Sequence, residues 1–289
     1  MRGRGLLVAA VVATPFLMGA AAGAPGSADR TAFRFADPDI VESSGLAMSD
    51  GLVVTTNDSG DSGRVFTVDP ATGTTVGLTS WSPDPVDVEA LASAGRGHVW
   101  VGDIGDNQHQ RDSVEVLRVP VGRGDVTATP EAYELVYPDG PRDAEAIVAH
   151  PLTGRLHVIT KGIFGGTVYA APARLDPDEP NLLEEVADAP GIVTDATFLP
   201  GGGGVVLRTY TDAYLASYPS WQPVTSWELP QQDQGEGVTV AGRDLLISTE
   251  GARSRVLEVP LPPEAGATDL QSPAWTALRW LATARGLPL

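Results

Sequence analysis

Residues 88–107 read VEALASAGRGHVWVGDIGDN, and this stretch decides the fold. An acidic residue, Glu89, is followed by a small one and then by apolar ones. A glycine turn at Gly95-Arg96-Gly97 leads into the β-rich run HVWV, which closes on Gly102-Asp103. Locally this is two short strands joined by a tight turn. The same arrangement recurs along the chain at Glu42-Ser43, Glu145-Ala146, Asp195-Ala196 and Glu236-Gly237, so that successive acids stand 47, 56, 50 and 41 residues apart. The β-rich runs end at Thr56-Asn57, Gly102-Asp103, Thr160-Lys161, Thr209-Tyr210 and Thr249-Glu250, which lie 15, 14, 16, 15 and 14 residues beyond their acids. A third strand follows in every unit (RVFTVDP, SVEVLRVP, TVYAAPARL, AYLASYP, RVLEVPL), and a fourth in the first four (TTVGLTSW, EAYELVYP, LLEEVADAP, VTSWELP).

Four short strands repeated at this period are the signature of a β-propeller. The fifth unit lacks a fourth strand, but TAFRFADPD at residues 31–39 has the same character and precedes the first unit. Residues 31–36 are therefore expected to pair with the strand at 255–260 and close the ring, leaving no sheet edge open. The expectation is an all-β propeller over residues 31–260 with five four-stranded blades; six blades, one of them degenerate, is the alternative.

Composition narrows the function. The chain of 289 residues holds 37 acidic and 19 basic residues, no cysteine and four histidines. The acid excess opposes a phosphate-backbone grip, so no nucleic-acid partner is expected. Disulfides, thiol chemistry and Cys-based metal sites are excluded. Residues 1–24, with Arg2 and Arg4 before an apolar run and small residues after it, read as a signal peptide. That implies a secreted or cell-envelope protein with no membrane span after cleavage, and a monomer is expected. Residues 261–289 form a tail, with a short helix expected from Ser272 as N-cap and Pro273 at the first position.

In a propeller the innermost strands line a central channel. The repeated acids and the ends of the second strands should then meet at one mouth. One ring would hold Glu42, Glu89, Glu145, Asp195 and Glu236, and a second Asn57, Asp103, Lys161, Tyr210 and Glu250. Arg208, two residues before Tyr210, would point the same way. These eleven residues carry seven carboxylates against two cations, a formal −5. Repeated polar residues at blade ends also serve as strand caps, which would explain the first ring without any function. The second ring differs in every blade, as a built asymmetric site would. Lys161 is the only lysine in the chain, beside 18 arginines, and an ammonium fits among carboxylates in a narrow pocket where a guanidinium does not. Asn57-Asp58-Ser59-Gly60-Asp61 and Gly102–Asn107 share Asp-x-Gly-Asp, a pattern of oxygen donors on glycine turns that suits Ca²⁺. Candidate catalytic residues are thus Glu89, Glu145, Lys161, Arg208, Tyr210 and Glu236. Candidate Ca²⁺ ligands are Glu42, Asn57, Asp58, Asp103, Asp106, Asp195 and Glu250. His98 and His157 fall inside second strands, and His109 lies in a loop beside the mouth.

On Glu89-Ala90-Leu91-Ala92, Gly102–Asn107, Asp143-Ala144-Glu145-Ala146, Thr160-Lys161, Leu207–Tyr210 and Gln234-Gly235-Glu236-Gly237, the sequence resembles a group of exported bacterial propellers, many of them actinobacterial. In outline it is also similar to regucalcin/gluconolactonase-type and phytase-like propellers. The resemblance implies a divalent ion, such as Ca²⁺, in a central acidic pocket. Two functions follow as expectations. One is a non-catalytic propeller that binds a small molecule or envelope ligand at the channel mouth. The other is a Ca²⁺-dependent hydrolase (lactonase, esterase, phosphoesterase or glycosidase) that uses the mouth carboxylates and Lys161.

Overall fold

A computed structural model describes residues 30–58 and 60–269. The signal segment 1–24 and the expected helix beginning at Ser272 lie outside them. Five antiparallel blades surround one axis, which makes the chain a five-bladed β-propeller. Their innermost strands are Ser43–Ser49, Val88–Ser93, Ala144–Ala149, Val193–Phe198 and Gly235–Ala241. Each runs outward through a second, third and fourth strand. Blade five takes its fourth strand from the N-terminal side: Arg30–Arg34 pairs with Arg255–Pro260, with Thr31 opposite Leu257 and Phe33 opposite Val256. The ring is closed as the spare strand suggested, over Arg30–Arg34 where 31–36 was expected.

Burial follows from this geometry. Neighbouring blades sandwich the innermost strands, so Val88–Ser93 and Ala144–Ala149 are buried at every position but the last. Outermost strands such as Pro223–Glu228 face water along most of their length. Five apolar clusters fill the spaces between adjacent blades, and the one between blades five and one includes Phe33 and Phe35. Convergence at the axis demands small residues. A Cβ on Gly45 would stand 2.7 Å from the backbone nitrogen of Leu91 in the next blade. Two short strands were not foreseen: Val126–Thr127 extends blade one and Asn181–Leu182 extends blade two, both in parallel pairing. After the last blade a helix spans Pro263–Asp269, buries Ala265, and ends with the Asp269 carboxylate accepting the Gly201 and Gly203 amides. No helix among the described residues is long and apolar enough to cross a membrane.

Candidate functional site

The register at the start of the innermost strands defines the mouth. In four blades the pairing with the second strand skips one residue, and in blade five it skips Glu236 and Gly237 against Ser248, so every blade carries a β-bulge. The skipped residues are Ser44, Glu89, Glu145, Thr194 and, beside Gly237, Glu236. A bulge leaves its residue out of the ladder and re-aims its side chain. The first ring is therefore three carboxyls and two hydroxyls, with Ser44 and Thr194 where the sequence reading had Glu42 and Asp195. The hydroxyls tie blades together: Ser44 Oγ donates to the Glu89 carbonyl at 2.9 Å, and Thr194 Oγ1 to the Glu236 carbonyl at 3.1 Å.

The second ring also shifts. Ser43, Val88, Ala144, Val193 and Gly235 face Asn57, Asp103, Thr160, Thr209 and Thr249. The next residues are Asp58, Ile104, Lys161, Tyr210 and Glu250; Ile104 is fully buried in the apolar cluster between blades two and three, so the mouth takes the other four. Backbone bonds from Asp58 to Glu42, Lys161 to Asp143 and Glu250 to Gln234 confirm the equivalence. Asn57 and Asp103 thus sit one position short of the ring, because hairpin lengths differ between blades. Both act as caps. Asn57 Oδ1 accepts the Val41 and Glu42 amides at 3.0 and 3.1 Å, and Asp103 accepts those of Val86 and Asp87, each at 2.9 Å.

What meets at the mouth is a strongly coupled set of charges. Lys161 Nζ donates to Glu145 Oε1 at 2.6 Å. Burial pushes the Glu89 carboxyl up to about 10, helped by the negative charges of Glu145, Asp58 and Asp87. Burial also raises Glu145, which Lys161 pulls back to about 7. Glu236 rises to about 8 through burial and the Glu145 charge. Burial opposes the Lys161 charge, but Glu145, Tyr210 and Glu236 outweigh it and hold the ammonium above the usual lysine range. Tyr210 and Glu250 are both raised, first by burial and then by the acids around them. On the blade-one and blade-two side, carboxylate oxygens of Asp58, Asp87 and Glu89 all lie within 4.8 Å of one another.

The other candidates have different partners. Asp195 is wholly buried in the channel; its carboxylate accepts the Ala196 and Val238 amides at 2.8 and 2.7 Å and the Leu46 amide at 3.5 Å. It joins the innermost strands of blades four, five and one, and burial holds it well above the usual carboxylate range. Arg208 is equally buried. It donates to the carbonyls of Gly237 and Ser248 and to Gln232, and burial lowers it to about 10. Asp106 organises its own loop by accepting the Gln110 and Arg111 amides. Glu42 is exposed beside the rim. Of the histidines, His157 is buried among Phe198, Tyr218 and Trp221, away from the acids, and burial lowers it to about 3.

Asp87 and Asp143 were missed. Both stand two residues before a repeated glutamate, in Asp87-Val88-Glu89 and Asp143-Ala144-Glu145, and that shared Asp-x-Glu was a readable signal.

Comparison with known proteins adds little about chemistry. No family model matches the chain, and no curated protein matches it. Among solved structures it is similar to Myxococcus xanthus glutaminyl cyclase, with 11% identity, a TM-score of 0.49, and coverage of 80% of this chain and 97% of that one. It is also similar to a gluconolactonase from Xanthomonas campestris, with 15% identity, a TM-score of 0.47, and coverage of 84% and 98%. A third similarity is to Kuenenia stuttgartiensis hydrazine synthase, with 15% identity and a TM-score of 0.40; it covers 79% of this chain and only 59% of that one. All three TM-scores lie below 0.5, and nothing about this chain's chemistry follows from them.

Proposed function

We propose that this protein is a ligand-binding propeller whose acidic channel mouth takes a positively charged group, with Ca²⁺ as the ion that best suits its donors. The observation behind this reading is the cluster of Asp58, Asp87 and Glu89 oxygens within 4.8 Å of one another. All three donors are carboxylate oxygens, the chemistry of a hard divalent cation. Glu145, Glu236 and Glu250 surround the cluster as further oxygen donors, each held above the usual carboxylate range first by burial and then by neighbouring acids, with Lys161 as the ammonium among them. Burial and, after it, the neighbouring acids favour the protonated carboxyls, and a bound cation would favour their charged form. Placement outside the cell, at the envelope, belongs to the same proposal. Millimolar Ca²⁺ should raise the melting temperature by several degrees over the same protein in EDTA, because a ligand of the native state stabilises it by mass action. Asp87→Asn with Glu89→Gln should abolish the increase. Identical melting curves in EDTA and Ca²⁺ would remove the calcium site.

A second reading, hydrolysis, is favoured by the spread of carboxyl protonation. Glu145, held near 7 and fixed by Lys161, stands beside a Glu89 that retains its proton. One side chain suited to accept a proton next to one suited to donate is the usual arrangement for acid–base chemistry. Lys161→Met keeps most of the apolar stem and removes the charge. On this reading turnover in a panel of ester and glycoside substrates collapses, while stability falls by about 1–2 kcal/mol. Equal turnover by both proteins, or none by either, would dismiss it.

A further inference from the structure

The far end of the channel, opposite the mouth, is a cavity of about 500 Å³ that all five blades line. Leu46, Leu91, Val148, Phe198 and Val240 each come from a different innermost strand. None of the described residues that line it carries a carboxylate, an ammonium or a guanidinium. The one titratable group, His150, is buried, and burial lowers it below the usual imidazole range. Its Nδ1 accepts the Leu152 and Thr153 amides at 3.3 and 3.2 Å, so that edge of the ring serves its own turn. An uncharged cavity of this size calls for an apolar occupant.

The described chain ends at the rim of this cavity. The helix Pro263–Asp269 closes on the hairpin between the first two strands of blade four, where the Asp269 carboxylate accepts the Gly201 and Gly203 amides at 2.9 and 3.2 Å. A Cβ on Gly203 would stand 2.3 Å from the Thr268 carbonyl oxygen, and one on Gly202 would stand 2.6 Å from His150 Nε2. Glycines thus let the helix end, the hairpin and His150 meet with no side chain between them. Pro200, in the same hairpin, and His150 both line the cavity. Whatever follows Asp269 therefore starts beside it.

The sequence that follows suits the cavity. Residues 270–289 carry Trp275, Leu278, Trp280, Leu281 and Leu287, with two arginines and no acid. Trp275, Leu278, Leu281 and Ala282 recur at the spacing of one helix face, after the start signal Ser272-Pro273. Trp275 is six residues past Asp269, a reach of about 9 Å as helix and about 20 Å extended. We infer that this segment packs its apolar face into the far end of its own chain's channel and leaves the acidic mouth as the way in. Attachment selects this occupant over a free one, because a short tether supplies an effective concentration on the order of millimolar. A segment that binds with a dissociation constant of about 0.1 mM when detached would then fill the cavity about nine-tenths of the time. The inference stands whether or not the mouth takes a cation.

A chain without cysteine makes the test direct. Thr197→Cys and Val240→Cys each put a single thiol in the cavity wall, on blades four and five, and Val186→Cys puts one on the outer strand of blade three. Each is made in the full chain, and again with Trp275→Ser, Leu278→Ser and Leu281→Ser together. The rate of reaction with a bulky maleimide is then measured. Both cavity thiols should react about tenfold more slowly beside the native segment than beside the serine one, as nine-tenths occupancy requires, while the outer thiol reacts at one rate in both. Melting curves check folding, and cavity positions on two blades guard against one variant that misfolds. Cavity thiols that react fast beside both segments would mean an open cavity, and thiols slow beside both would mean that something else fills it; either result overturns the inference. Protection that grows with protein concentration would assign the cavity to the segment of a second copy, and overturns it equally.

Discussion

The two ends of the central channel are built by the same five strands and have opposite chemistry. At the start of those strands every blade carries a bulge, and the residues freed from the ladder are Ser44, Glu89, Glu145, Thr194 and Glu236. At their far end the pairing is regular, and the opening is lined mainly by apolar residues such as Leu46, Met48, Leu91, Val148, Phe198 and Val240, with Thr197, Thr239 and His150 among them and no carboxylate. Asp195 lies between the two, its carboxylate bonded to amides of three blades. A regular ladder pairs its backbone groups and leaves apolar side chains to pack. A bulge breaks that pattern at one residue and frees a side chain for the axis. Polarity in this channel therefore follows the bulges.

Opening the ring would break the comparison altogether, because neither end exists without closure. Deleting residues 30–36 removes the outer strand of blade five and takes Phe33 and Phe35 from the cluster between blades five and one. A loss on the order of 5 kcal/mol or more is expected, since burying one Phe contributes several kcal/mol and a sheet edge is left bare. Urea denaturation reads it; an unchanged midpoint would mean that the strand does not close the ring.

Removing the divider is the next largest change. Asp195→Ala leaves the Val238 and Leu46 amides without their acceptor in a dry interior, and a cost of about 2–4 kcal/mol follows. The far end should feel this as much as the mouth, because Leu46 belongs to its lining. A shift below about 0.5 kcal/mol, the range of an ordinary surface substitution, would show that the carboxylate is not the tie.

Much of this was legible in the sequence, and the part that was not has a definite cause. The four main strands of each blade, the blade period and ring closure follow from hydrophobic runs and turn residues, which are local and repeat. The mouth was legible at Glu89, Glu145, Lys161, Tyr210, Glu236 and Glu250, where spacing from the repeated acid matches the bulge register. It failed at Glu42, Asn57, Asp103 and Asp195. A bulge adds one residue without changing composition, and a one-residue slip sends a side chain to the other face. Asp195 shows the consequence: one position past the bulge residue Thr194, it caps amides inside the channel. Arg208 was expected at the mouth, but it is wholly buried and donates to carbonyls 29 and 40 residues away, partners that nothing in the sequence marks.

The smallest effect, and the one that separates the two ends most cleanly, is a pH dependence. An unfolded glutamate ionises near 4.5, while Glu236 in the folded protein keeps its proton to about 8 because it is buried beside Glu145. Between those values the unfolded chain has released a proton that the folded chain still holds. Stability therefore falls as pH rises through that window, by at most about 1.4 kcal/mol per unit for this group. Glu236→Gln removes the titration. The variant should match the parent near pH 4.5, gain on it as pH rises, and level off above 8 with an advantage of about 1–2 kcal/mol, well below the limit because neighbouring carboxyls and water relax around the charge. Val148→Ala, at the apolar end, is the control. It should cost about the same at every pH, since a methyl-bearing side chain carries no proton to lose. Denaturant midpoints at pH 5, 7 and 9 decide the matter. A constant difference between the Gln variant and the parent would mean that the Glu236 carboxyl is ionised across the range, and that the acidic mouth is already neutralised by other means.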